Sequence, residues 1–374
     1  MLSLKQFQSF ISQISDARGL TEEDVENAIL EALSVAYKKD QDLKDALVEA
    51  KKEKDGEISF YLVKVVVDDE GVEKGEVKFN PQRHILLSEA KGIKPDAEVG
   101  EKIYFPLPKV DNFSRVAAQT AKQLILQKLK EAEKRYLYSE FKEKEGKAIS
   151  GVVERKDPNG NVYVNLGKIL GVMFKNETIP GENYRPGQRM RFYVYAVENT
   201  PQGVQVFLSR AHPYLVPAIF AIEVPEISEG VIEIKGVARE PGVRTKLAVS
   251  SNLPGYDPVG ACIGVKGARV ISIMNELNNE KIDIIPWDED PLKFVANSLL
   301  PAKVLEVKAL PKRTMLVLVP EEELPLAIGK NGQNIKLAAK LTGWQIDVRS
   351  AAEPEKAVEG GLAKPEEENE ISQS

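Results

Sequence analysis

Apolar residues in this chain recur with two different periods, and the switches between them divide it into regions. Near the N-terminus Val25, Ile29, Leu33 and Ala36 fall at helical spacing behind Thr21-Glu22-Glu23-Asp24, a capping-box pattern that predicts a helix opening there. Residues 57–67 and 75–79 read as strands joined by an acidic, glycine-containing hairpin turn at 68–71. A Pro-bounded strand over 102–107 leads into a long helix over 113–141, carrying Ala117, Ala121, Leu124, Leu129, Ala132 and Tyr136. At 1.5 Å per residue that helix runs about 40 Å, enough to serve as both wall and connector. From 146 to 210 the pattern changes to short alternating strands, 148–154, 161–166, 171–174, 190–197 and 204–208. Turns at Asp157-Pro158-Asn159-Gly160, Pro186-Gly187 and Pro201-Gln202-Gly203 punctuate them, and five strands broken in this way predict a small OB-fold barrel.

Past residue 210 one six-element order is written twice. The first copy has a helix over 213–223, strands over 231–238 and 244–249, a short helix opened by Asp257-Pro258, a second helix, and the strand Ile282-Asp283-Ile284. In the second, Asp290-Pro291 opens a helix over 292–299, followed by strands over 303–307 and 315–319, two helices, and the strand Ile346-Asp347-Val348. Between the last two helices of each copy lies a Gly-x-x-Gly loop, Gly264-Val265-Lys266-Gly267 and Gly329-Lys330-Asn331-Gly332, each preceded by Ile. Glycine there gives access: a sugar-phosphate chain can approach a backbone without Cβ atoms, and the loop offers amide N–H groups and a helix N-terminus to phosphate oxygens. Lys266 and Lys330 add a cation to each loop. One such loop also occurs in ordinary turns, but two inside the same α-β-β-α-α-β frame predict tandem prokaryotic-type KH domains, each clamping about four nucleotides by the backbone. Almost no linker separates Ile285 from Asp290, so a rigid tandem gripping one continuous single strand is expected.

Composition narrows this picture. At 374 residues the chain exceeds what one hydrophobic core usually organises, about 250–300 residues, so a multidomain α+β protein is expected. No apolar run approaches the ~20 residues of a membrane span and the N-terminus lacks a secretory pattern, so the expectation is a soluble, cytoplasmic protein without membrane contact. A single cysteine, Cys262, precludes an intrachain disulfide and reads as a small buried residue. With only His84 and His212 there is little from which to build a zinc site or a Ser-His-Asp triad, and no catalytic residue, metal or cofactor is assigned. Most of the net charge of −6 sits in residues 351–374, with seven Glu and two Lys, which read as a disordered acidic tail. The remaining body is close to neutral, so RNA binding would rest on local patches: the loop lysines with Arg269, Lys336 and Lys340. In the barrel Tyr163, Phe174, Tyr193 and Tyr195 are candidates to stack on bases, each competing with a core role, because alternation alone does not say which face is outward.

Several stretches together resemble the bacterial transcription elongation factor family NusA. They are Phe113-Ser114-Arg115-Val116-Ala117-Ala118-Gln119-Thr120-Ala121-Lys122-Gln123, Ile222-Glu223-Val224-Pro225-Glu226-Ile227, Asp257-Pro258-Val259-Gly260-Ala261-Cys262-Ile263-Gly264, Asn275-Glu276-Leu277 through Lys281-Ile282-Asp283-Ile284, and Ala327-Ile328-Gly329-Lys330-Asn331-Gly332-Gln333-Asn334. The resemblance spans about residues 1–350 and implies a domain order: an N-terminal RNA polymerase-binding domain (1–142), an OB-fold RNA-binding domain of the ribosomal S-one type (146–211), a first KH domain (213–286), a second (290–350) and the tail (351–374). It implies docking on the RNA polymerase core near the RNA exit channel, binding of nascent single-stranded RNA, and regulation of pausing, termination and antitermination together with other Nus factors. Tethering to polymerase would raise the effective concentration of weak RNA contacts. The RNA contacts it implies are Gly264, Val265, Lys266, Gly267 and Arg269 in one repeat and Gly329, Lys330, Asn331, Gly332, Gln333 and Lys336 in the other, with Tyr163 and Phe174 in the barrel. Two other classes accommodate the same modules. One is an RNA-processing enzyme with its centre in the first 140 residues, although that segment shows neither a paired-metal carboxylate cluster nor a phosphate-binding loop. The other is a ribosome-associated RNA chaperone.

Overall fold

The computed structural model describes residues 4–54, 56–74, 78–110 and 113–365, arranged in two compact units, Met1–Ser139 and Glu140–Ser374. The first unit begins with α1 (Leu4–Arg18) and α2 (Glu22–Asp40). As the capping box predicts, the Thr21 hydroxyl accepts a hydrogen bond from the Asp24 amide at 3.1 Å, and Glu22, Glu23 and Asp24 place negative charge at the positive end of the helix. Four strands follow, β1 (Leu47–Lys52), β2 (Ile58–Val67), β3 (His84–Leu86) and β4 (Lys102–Pro106), with β2 antiparallel to β1 and β4 and parallel to β3. Two short helices lie between them, α3 (Asp69–Glu73) and α4 (Leu87–Ile93), and the unit ends with the long α5 (Arg115–Lys142). Leu129 and Ala132 of α5 join Val25, Ala28 and Ile29 of α2 in one apolar cluster.

Two expectations for this unit change. Residues 68–71 are not a hairpin turn: Asp69 opens α3, and its carboxylate accepts from both the backbone amide and the hydroxyl of Ser88, a partner 19 positions away. The strand expected at 75–79 falls partly on residues 75–77, outside the described residues, and Lys78 and Phe79 are not in a strand. The parallel neighbour of β2 is instead β3.

In the second unit the five expected strands close a barrel in the order β5-β6-β7-β9-β8: β5 (Ala148–Lys156), β6 (Val162–Asn165), β7 (Leu170–Met173), β8 (Arg189–Thr200) and β9 (Gly203–Ser209). Val153, Val162, Val164, Met173, Phe192, Val194, Val206 and Leu208 fill it. The first repeat then runs α6 (Leu215–Glu223), α7 (Pro225–Ser228), β10 (Ile232–Glu240), β11 (Arg244–Ser251), α8 (Pro258–Ile263), α9 (Ala268–Glu276) and β12 (Lys281–Pro286). The second runs α10 (Pro291–Ser298), β13 (Glu306–Leu310), β14 (Thr314–Val319), α11 (Leu324–Ile328), α12 (Gln333–Thr342) and β15 (Gln345–Ser350). In each sheet the first strand pair is antiparallel and the last, β11–β12 or β14–β15, is parallel. Asp257 and Asp290 cap α8 and α10 as expected, accepting from the amides of Val259 and Leu292.

The ordered chain extends past 350. Residues 351–365 turn back and add β16 (Leu362–Ala363) antiparallel to β15, with Ala363 buried in the core of the second repeat. Residues 366–374 of the expected disordered tail lie outside the described residues.

Barrel and repeats are joined by polar contacts, most of them buried. The Arg210 guanidinium, fully buried, forks onto Glu182 at 2.7 and 2.5 Å and also donates to the carbonyls of Arg191 and Glu276, both at 2.7 Å. Tyr193 of the barrel packs into the core of the first repeat beside Leu215 and Ile219. Between the repeats, Lys246 on β11 is fully buried and donates to the Leu300 carbonyl at 2.9 Å, and Gln333 donates to Glu240 at 2.8 Å. The two repeats are thus in direct contact, and separating them would leave the buried Lys246 ammonium with Asp283 as its one remaining partner among the described residues.

Candidate nucleic-acid interface

The two glycine loops share one backbone conformation at their first, third and fourth positions. The first glycine sits at φ 74°, ψ 174° in Gly264 and φ 77°, ψ 168° in Gly329, a region essentially closed to any residue with a Cβ. The third position is left-handed, with φ 51° at Lys266 and 55° at Asn331, and the last glycine is left-handed again at 79° and 72°. Space forbids a side chain at the first position as well: a Cβ on Gly264 would lie 2.8 Å from Arg269 Cγ, and one on Gly329 would lie 2.8 Å from the Asn334 amide nitrogen.

Each loop delivers the chain into a helix with no side-chain cap. Gly267 and Gly332 are the N-caps of α9 and α12, and neither can satisfy the first-turn N–H groups. Those amides are available to water or to phosphate oxygens, and the helix macrodipole favours an anion there. Val265, 84% exposed, and Lys266 stand at one loop tip, with Lys330 and Asn331 exposed at the other and Lys336 one turn into α12. Among the described residues no ion pair involves Lys266, Lys330 or Lys336.

Two of the expected contacts have other engagements. Arg269 makes an ion pair with Glu226 at 3.1 Å and donates to the Ala261 carbonyl at 2.8 Å, bracing the end of α8. The matching position after the second loop is Asn334, whose side-chain amide donates to the carbonyls of Leu326 and Ala327 at 3.2 and 3.1 Å. Both side chains therefore hold the loop by tying down the preceding helix. The Asn334 side-chain oxygen is buried without a partner among the described residues. Gln333 donates to Glu240 of the first repeat, an exposed contact between the repeats.

On the barrel, the outward face is now defined. Register places Arg155, Tyr163, Val172 and Phe207 side by side across β5, β6, β7 and β9. The Arg155 guanidinium lies 4.3 Å from the Tyr163 ring centre, and Phe174, 39% exposed, stacks on Phe207 at 5.8 Å. Tyr163 and Phe174 thus share one aromatic face, and Phe207 and Arg155 belong to it although strand alternation alone did not single them out. Tyr193 is buried in the core of the first repeat, whereas Tyr195 stays beside Phe207, ring centres 5.9 Å apart, at the edge of the aromatic face where it meets that core. Cys262 is buried there too, and burial pushes its thiol up to about 11, out of the range of a reactive thiolate. His212 stacks on Tyr193 at 4.5 Å, and burial lowers its pKa.

No group of three His, Cys, Asp or Glu among the described residues is placed to hold a metal ion, and no described helix is long and apolar enough to cross a membrane.

The sequence matches three domain families in the order the fold shows: the NusA N-terminal domain over residues 6–135, the NusA-like first KH domain over 210–287 and the NusA-like second KH domain over 291–356. Similar proteins cover nearly the whole chain. The transcription termination/antitermination protein NusA of Halalkalibacterium halodurans is 42% identical over 96% of this chain and 91% of its own length. The chain belongs to the NusA family. The protein of the same name from Bacillus subtilis is 44% identical over 89% of this chain and 87% of its own, and that from Thermus thermophilus 39% identical over 93% and 90%. Within the NusA arrangement the two glycine loops are thus the loops of the first and second KH domains, held in one body with the barrel.

Proposed function

We propose that this NusA-family protein is an RNA-binding factor of transcription termination and antitermination. It docks on the bacterial RNA polymerase core through its N-terminal domain and passes nascent single-stranded RNA across the barrel face and the two KH loops. The observation that carries the reading is the duplicated loop: two phosphate-ready backbones of the same conformation, each opening an uncapped helix, on a tandem braced by Lys246 and Gln333. The mechanism is a tether, with no bond-making step. Polymerase attachment keeps the transcript at high local concentration, so contacts that are weak one by one suffice to slow or redirect elongation. Pausing, and cooperation with other Nus factors on a shared transcript, belong to the same proposal.

Three measurements test it. Co-elution of residues 1–142 with core polymerase on a sizing column, with the fragment shown folded by circular dichroism, is the expected result; a folded fragment that elutes apart from polymerase would remove the tether. Full-length protein should retard labelled single-stranded RNA and leave it intact in the presence of divalent metal, whereas metal-dependent loss of the RNA would favour a processing enzyme. Sedimentation with ribosomal subunits and not with polymerase would favour the chaperone reading.

A further inference from the structure

The second KH domain differs from the first at one sheet edge. In the first, β12 ends a three-stranded sheet, whereas in the second the corresponding β15 is covered by β16. Ala363 pairs with Ile346 and Leu362 with Asp347, and the Val348 amide donates to the Gly361 carbonyl at 2.7 Å. The segment leading into β16 passes beside the glycine loop: a Cβ on Gly360 would lie 3.7 Å from Ile328 Cγ2, and Ile328 immediately precedes Gly329. A strand of RNA held by its phosphates on Gly329–Gly332 must lay its bases along α11 and the neighbouring strand edge, since the bases of a KH-bound strand are read beside the loop that clamps the backbone. Leu362 and Ala363 pair along that edge, and Gly360 lies beside the residue that precedes the loop.

We propose that the chain's own segment 358–363 is an intramolecular occupant of the second KH groove, which RNA must displace, so that the first KH domain is open and the second gated. The proposal rests on the reading of the loops as RNA clamps. Three features suit the segment to this role. Gly361 is the only kind of residue that fits, because a Cβ there would lie 2.6 Å from the Val348 carbonyl oxygen. Attachment is slight, a two-residue strand anchored by buried Ala363, which permits release. The segment also belongs to a stretch, 351–374, with seven Glu against two Lys, whose charge opposes that of RNA approaching the same loop. A groove that is open only about a tenth of the time binds its ligand about tenfold more weakly than an open one.

The test uses the full chain with the first loop disabled by Lys266→Asp, so that the second KH domain dominates, and measures anisotropy of a fluorescent single-stranded RNA of mixed sequence. Gly361→Val, which ejects the strand by steric conflict while keeping Ala363, and a chain ending at Lys356 are each expected to bind about tenfold more tightly. A synthetic peptide of residues 351–365 added to the shortened chain should restore the weaker binding. Adding Lys330→Asp and Asn331→Asp to Gly361→Val should cancel the gain. Thermal melts identify whether the shortened chain stays folded; if it does not, Gly361→Val and the peptide decide the matter. Unchanged affinity in Gly361→Val, with measurable binding by the parent, overturns the gating proposal. Absence of binding by every form, including the otherwise unaltered chain with Lys266 restored, overturns the clamp reading itself.

Discussion

Lys246 offers a prediction whose sign runs against the usual expectation for an ion pair. Its ammonium is fully buried between the KH domains, 3.1 Å from Asp283 and 2.9 Å from the Leu300 carbonyl oxygen. Asp283, however, is already engaged by the Arg244 guanidinium at 2.7 and 3.0 Å, so its charge is shared. Burial wins over that attraction and lowers the Lys246 pKa from 10.5 to about 8. Below pH 8 the side chain is charged both in the folded and in the unfolded chain, and the folded state carries the full cost of burying it. Between pH 8 and 10.5 the unfolded chain keeps a proton that the folded chain has lost, so folding stability gains with rising pH, by up to about 3 kcal/mol for a shift of this size. Lys246→Met removes the titrating group while leaving Asp283 paired with Arg244. The assay is urea unfolding followed by the fluorescence of Trp287 and Trp344, the two tryptophans, at pH 7 and pH 10 in parent and variant. Other groups titrate in both proteins and cancel in the difference. At pH 7 the variant should match or exceed the parent, and the parent should gain on it by about 2–3 kcal/mol by pH 10. A difference that stays flat across this window would show that the Asp283 pair dominates and that Lys246 is an ordinary buried cation.

Replacing Lys266 with Asp together with Lys330-Asn331 with Asp-Asp should leave the melting temperature unchanged, weaken single-stranded RNA binding at least tenfold and flatten its salt dependence, because phosphate contacts and their counterions are lost; an unchanged salt slope would contradict phosphate clamping. Removing Phe174 or Tyr163 by Ala should cost about 1–3 kcal/mol of RNA affinity if a base stacks there, with little effect on stability from the half-exposed face; loss of stability without loss of affinity would assign both rings to packing. Glu280 is fully buried and accepts from Arg239, the Gly242 amide and the Thr245 hydroxyl, so Glu280→Ala should destabilise the chain by about 3–5 kcal/mol in urea, leaving the Arg239 guanidinium unpaired; a loss under 1 kcal/mol would mean that water reaches the site. Gly329→Ala should abolish the contribution of the second loop to RNA binding, since its Cβ would sit 2.8 Å from the Asn334 nitrogen in a backbone region that only glycine enters; retained binding would show that the loop relaxes.

Local chemistry was legible in the sequence wherever neighbouring residues settle the outcome. The capping hydrogen bond of Thr21, the Asp-Pro openings of α8 and α10, the five barrel strands and the paired glycine loops each depend on residues a few positions apart, and each stands in the structure as the linear pattern indicates. The misreadings fall where a distant partner intervenes. Asp69 begins a helix with Ser88 hydrogen-bonded to its carboxylate, and β13 spans Glu306–Leu310, three residues later than its apolar pattern suggests, because pairing with β14 sets its register. The engagement of Arg269 by Glu226, 43 positions away, and of Gln333 by Glu240, 93 positions away, likewise has no local sign.

By itself, the sequence determined the order of domains, the two glycine loops and the scarcity of histidine, because turn geometry and composition are properties of contiguous residues. Only the tertiary structure decided which barrel face is outward, which loop-side cations are spent as braces, and that residues 358–363 return to the second loop. Those outcomes are set by contacts between segments far apart in the chain, where burial and charge pairing, summed over the packed molecule, outweigh what any one segment prefers alone.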